Sequence, residues 1–193
     1  MILKQIALFE KPGEHNTRDC VGILKNALLQ GLSKHVVVAS TSGCNAETFF
    51  NSLKGMDTGL VIVTHCANFK EENHDEFSPQ IRQMLKDNGV PVYTGTILTS
   101  SLEKSIMEKF GGSSTGALIA GCLRRFGEGA KVRIEIVMEA CDAGLVPENE
   151  EILAVGGTSM GSDTVLLIQS KPSKRFLEMH VLEILARPRG RKV

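Results

Sequence analysis

The residues best suited to chemistry lie in "VVVASTSGCNAE", residues 36–47, where three valines run into Ser40, Thr41, Ser42 and Gly43. The valine run reads as a buried strand, and Asn45 reads as the opening of a helix. A glycine turn exposes backbone N–H groups, the hydroxyls add donors, and the helix adds its positive end. Together these favour an anion, most often phosphate. An ordinary cap-and-turn uses the same residues, so this stretch alone leaves both readings open.

Further loops carry the same small polar chemistry. "GGTSMGSDT" supplies Gly157, Thr158, Gly161, Asp163 and Thr164 between two strand-like runs. It reads either as a glycine-rich hairpin or as a clamp on the same ligand. "FGGSSTG" supplies Gly111 and Gly112, a helix-end turn or a ligand contact. It has no Walker-type lysine, so triphosphate hydrolysis is not indicated. Thr64 and His65 end a third buried run and are site candidates, with His65 the candidate proton donor or acceptor. Cys66 next to His65 makes no dyad, because strand neighbours point to opposite faces. Asp142 beside Glu139 reads as a paired-carboxylate site or as a solvated helix end. The cysteines and histidines show no metal-ligand spacing, so no metal is expected.

These loops need elements to hold them. "QIALF", "HVVVAS", "GLVIVTH" and "VPVYTG" read as strands, the middle two continuously apolar, as in parallel sheets buried on both faces. Between them lie helical patterns. One is capped at Asn16 or Thr17, with Val21, Leu24, Ala27 and Leu28 on one face. Another starts at Ser78 with Pro79 at its first position. Ser100 and Glu103 fit a capping box. A helix from about Ser114 to Phe126 is expected to bury Leu118, Ile119, Cys122 and Leu123. "AKVRIEIVMEACDAGLVP" alternates like a strand, yet its length and its Gly144 and Pro147 stops favour a helix. "EILAVGG", "DTVLLIQS" and "HVLEILA" close the chain as strands. The expected fold is one α/β domain over residues 1–193. Its three layers comprise a mostly parallel sheet covered by helices on both faces, with a late antiparallel strand.

The composition narrows the function. The 193 residues carry 22 basic and 22 acidic side chains, so no net charge draws the protein to nucleic acid or anionic membranes. The basic end, residues 187–193, reads as a solvated tail. The five cysteines form no CxxC pair, which suits a reducing cytosol. No run reaches the roughly 20 apolar residues of a membrane span. A cytoplasmic protein without nucleic-acid or membrane partners is expected.

"HVVVASTSGCNAETFFNSLKGMDTGLVIVTH" and "EEILAVGGTSMGSDTVLLIQ" resemble the C-terminal α/β domain of pyruvate kinase. There a Thr-x-Ser-Gly loop grips a phosphate of a sugar-bisphosphate effector, and a glycine-rich loop covers it. The closer resemblance is to a stand-alone family of this fold, mostly archaeal and bacterial and of unknown function. "FEKPGEHNT", "VTH", "KFGG", "DAGLVPENEEILAVGGT", "GSDT" and "ARPRG" carry it along nearly the whole chain. The resemblance implies that Thr41, Ser42 and Gly43 hold phosphate and that residues 157–164 form the cover. It does not imply pyruvate kinase activity, because that active site lies in a barrel absent here. Family members are linked to bound flavin mononucleotide (FMN), which makes FMN the expected cofactor. The family's frequent second histidine after "VTH" is replaced by Cys66. With no Trp and one Tyr, the flavin ring would pack on Phe, Met or aliphatic side chains. The expected function is binding of a phosphate-bearing small molecule. The alternatives are a flavin-dependent enzyme using His65 or Asp142, and a regulatory or assembly module. The resemblance also implies a homo-oligomer.

Overall fold

The computed structural model describes residues 1–158 and 160–190. Seven strands form one sheet: β1 (Ala7–Phe9), β2 (His35–Ala39), β3 (Gly59–His65), β4 (Val92–Gly95), β5 (Glu151–Gly156), β6 (Thr164–Gln169) and β7 (His180–Pro188). Their order across the sheet is β1-β7-β6-β5-β2-β3-β4. Only β6 runs against its neighbours, pairing antiparallel with β5 and β7. All other pairings are parallel. The helices are α1 (Thr17–Leu29), α2 (Cys44–Leu53), α3 (Pro79–Asp87), α4 (Ser101–Phe110), α5 (Thr115–Leu123) and α6 (Glu128–Asp142).

The valine run explains the layering. Successive strand residues point to opposite faces. Val36 and Val38 therefore join a core with Leu24 of α1, Phe49 of α2 and Leu85 of α3. Val37 joins the opposite core with Ile134, Val137 and Met138 of α6. The result is one α/β domain with a mostly parallel sheet between helical layers, as the continuous apolar pattern predicts. Ser78 caps α3 by accepting from Ile81 N–H at 3.4 Å, with Pro79 at the first helical position.

The ambiguous stretch is helix α6, and its burial explains the ambiguity. Lys131, Arg133, Glu135 and Glu139 are buried along with its apolar residues, so no polar face marks a 3.6 period. Lys131 pairs with Glu135, whose other oxygen accepts from Thr99 N–H and Oγ1, both at 2.9 Å. Burial, with Glu135 beside it, pushes the Glu139 carboxyl up to about 8 from an ordinary 4.5. The folded chain thus keeps a proton that the unfolded chain releases above 4.5. This contribution to stability is complete below that pH and is lost as pH rises through about 8. Melting temperature should fall across this window, and Glu139→Gln, held neutral, should flatten the fall. Parallel pH profiles of the two proteins would refute this assignment.

Several expected elements differ. The capping box does not form: Ser100 makes no side-chain cap, and Glu103 instead accepts from Ser114 Oγ and Gly116 N–H. The helix predicted from Ser114 to Phe126 ends at Leu123 and continues as a 3-10 turn, Arg124–Phe126. Of its residues only Ala120 is buried in α5, while Leu118 and Cys122 are exposed. The start of the expected solvated tail, residues 187–193, is structured instead. Arg187 and Pro188 pair with β1, and Arg187 Nη1 donates to Phe126 O at 3.0 Å. Residues 191–193 of that tail lie outside the described residues. No helix among the described residues is long and apolar enough to cross a membrane.

Candidate functional site

The carboxyl ends of β5, β2 and β3, adjacent in the sheet, open into a cavity of about 710 Å³. This is where open α/β sheets place ligands, and the volume lies within the roughly 300–1,000 Å³ of small-molecule sites. Ser40, Thr41, Ser42, His65, Gly157, Thr158 and Gly161 all line it. So do Glu14, His15, Thr17, Arg18, Asn45 and Arg133, for which the sequence alone gave no such placement.

The loop after β2 is shaped by its neighbours. Ser40 is buried, and its Oγ accepts from Ala46 N–H at 3.2 Å in the first turn of α2. Ser42 O accepts from Ser78 N–H at 3.0 Å, fixing the loop on the start of α3. Gly43, not Asn45, is the N-cap residue of α2, with φ 100° in the left-handed region. Asn45 acts differently from the expected helix opener. Its Nδ2 donates to Ala39 O, to Gly161 O at 2.8 Å and to Ser162 Oγ at 3.0 Å, tying α2 to the glycine-rich loop. A Cβ on Gly43 would sit 2.9 Å from Ile81 Cδ1. Gly43→Val should therefore cost about 1–3 kcal/mol through left-handed strain and the displaced Ile81. Denaturant titration measures this cost; a wild-type midpoint would show that the loop adapts freely.

The glycine-rich loop is organised from behind. Asp163 has no exposure, and its carboxylate accepts four hydrogen bonds. Oδ2 takes Gly13 N–H (3.0 Å), Thr158 N–H (3.1 Å) and Thr158 Oγ1 (2.7 Å), and Oδ1 takes Thr164 Oγ1 (2.8 Å). Thr17 Oγ1 accepts from Ser162 N–H at 2.9 Å. Gly161 is required because a Cβ there would meet the Glu14 backbone at 2.4 Å. Asp163 and Thr164 thus lie behind the cavity wall and shape it. Thr64 is also buried, donating to Thr41 O at 3.4 Å. The loop's Ser159 lies outside the described residues.

Arg133 sits on the cavity floor. The residue has no exposure, yet its Nε and Nη1 find no hydrogen-bond partner among the described residues. Its guanidinium lies against Gly156, where a Cβ would be 2.2 Å from Nη2. Burial pushes its pKa down to about 10, opposed chiefly by the Asp163 carboxylate, so it remains a cation at neutral pH. Burial likewise pushes the Cys20 thiol up to about 12, which keeps it neutral. Buried donors without acceptors are costly, and an anion in the cavity would supply acceptors.

His65 stands at the cavity edge. Its Nε2 is 3.2 Å from Thr41 Oγ1 and 3.6 Å from Glu76 Oε2, and the Phe69 ring centroid is 4.3 Å from its own. The other candidates lie elsewhere. Gly111 and Gly112 form the turn after α4, with φ 75° and 98°, outside the cavity lining. Asp142 lies at the far end of α6 from Arg133's turn, where its Oδ1 accepts from Ser173 N–H at 2.9 Å. Among the described residues no group of three His, Cys, Asp or Glu side chains could hold a metal ion. No protein-family model matches the chain.

Proposed function

We propose that this protein binds a phosphate-bearing small molecule in the cavity at the carboxyl ends of β2, β3 and β5, and that the ligand is FMN. One observation carries the reading: Arg133, fully buried with unpartnered donors, lines the same cavity as Ser40, Thr41 and Ser42. The phosphate would take the N-terminus of α2 and its hydroxyls on one side and the Arg133 guanidinium on the other. Gly157, Thr158 and Gly161 would close over it. The resemblance to the stand-alone pyruvate kinase α/β-domain family supplies the flavin. Val21, Val132 and Met160 offer apolar surface for its ring. The test is absorbance and fluorescence of the purified protein, with thermal shift on adding FMN. A single-site ligand at 100 times its Kd stabilises by about 2.7 kcal/mol. A colourless protein with no shift from FMN or inorganic phosphate would refute the proposal.

A second reading, a flavin-dependent enzyme, is favoured by the place of His65 in the cavity wall. Its Nε2 faces Thr41 Oγ1 and the buried, unpartnered Oε2 of Glu76. That environment suits a side chain that accepts and returns a proton beside a bound ligand. Turnover with reduced nicotinamide and a generic acceptor, lost in His65→Ala with binding kept, would establish it. Absence of turnover across such a screen would remove it.

A further inference from the structure

Helix α4 has no buried residue, and α5 buries only Ala120. A ten-residue helix is marginal in water without tertiary packing, so α4 as it stands lacks the contacts that would hold it. Its apolar residues are nevertheless ordered. Leu102, Ile106 and Phe110 recur at i, i+4 and i+8, with Leu102 and Phe110 75% and 76% exposed. Leu118, Cys122 and Phe126 repeat the spacing on α5 and the turn after it, with Leu118 65% exposed. The inward faces of the two helices are different: Lys104, Met107, Ala117 and Ala120 line a small cavity against α6. The two apolar stripes point away from it.

We propose that these outward stripes of α4 and α5 are the interface through which two copies of this chain pair. The exposed apolar side chains present on the order of 700 Å² per copy, close to the roughly 800 Å² that each partner gives to a standard interface. The flanking charges argue for self-pairing. A face that meets its own copy cannot carry one sign of charge. Around helix α4, at 3.6 residues per turn, Glu103 and Lys109 border the Leu102–Ile106–Phe110 stripe, so its rim carries both signs, and the chain has no formal net charge. Nothing in that charge pattern selects a basic or acidic partner or an anionic lipid surface. Pairing would give α4 the burial that its own chain withholds.

Light scattering on the full chain, from low micromolar to about 100 µM, tests this. The wild type should show the mass of two chains, and the double variant Leu102→Glu, Phe110→Glu the mass of one, with the far-UV spectrum unchanged. A wild type of one-chain mass throughout, or a folded double variant that stays paired, would overturn the proposal. Should the variant lose its fold, hydrogen exchange of the wild type against concentration decides. Protection that grows within residues 101–126 upholds the interface. Growth confined to residues outside 101–126, or no growth at all, overturns it.

Discussion

Replacing Arg133 with methionine is expected to lower affinity for FMN or inorganic phosphate at least about 100-fold, while ligand-free stability falls by only about 1–2 kcal/mol, because Asp163 loses a counter-charge but keeps its four hydrogen bonds. The asymmetry follows from the geometry. The guanidinium is fully buried, and its Nε and Nη1 are unpartnered among the described residues. Removing it deletes no protein hydrogen bond from those atoms and relieves a desolvated charge, while methionine fills much of the same volume. A bound phosphate, by contrast, would lose a fully buried cation at its site. Arg133→Lys should fall between, keeping charge without the planar donors. Calorimetric titration beside thermal melts separates the two effects. Unchanged affinity in Arg133→Met would place the anion elsewhere.

Asp163→Ala should act in the opposite sense, with a loss of about 3–5 kcal/mol in stability before any ligand is added. The carboxylate joins three segments. It accepts from Gly13 ahead of α1, from Thr158 in the glycine-rich loop and from Thr164 at the start of β6. Its loss also leaves the Arg133 charge without the carboxylate that chiefly opposes its desolvation. For a chain of this length each kcal/mol corresponds to about 2–4 °C, so melting should drop by about 10 °C. The double variant with Arg133→Met should recover part of the loss, since the stranded cation is gone. Strict additivity in denaturant midpoints would show that the two charges are not coupled.

The chemistry of the loops was legible where it rests on local rules. The buried valines, the Ser78–Pro79 cap and the reversal at β6 follow from side-chain period, cap chemistry and a short connection. Thr41 and Ser42 reach the cavity because a strand end leads straight into a helix. What was not legible is long-range. Asp163 looked like a ligand contact, yet it bonds residues 150 positions away at Gly13. Asn45 looked like a helix opener, yet it reaches across 116 positions to Gly161. Arg133 was hidden in a segment that alternates like a strand. Once the segment is a helix, however, Lys131 and Glu135 share one face and Arg133 lies about 200° from each. With the segment enclosed, that places the arginine on a face of its own, under Gly156. Leu118 and Cys122 of α5 read as core and are exposed, because periodicity marks a face to be covered without saying by which molecule.

The most direct test titrates the wild-type protein with FMN and, in parallel, with riboflavin, which differs by the phosphate alone. If the cavity takes its ligand through phosphate, held between the α2 N-terminus and Arg133, FMN should bind at least about 100-fold more tightly than riboflavin. Equal affinity for the two, or binding of neither, would contradict it.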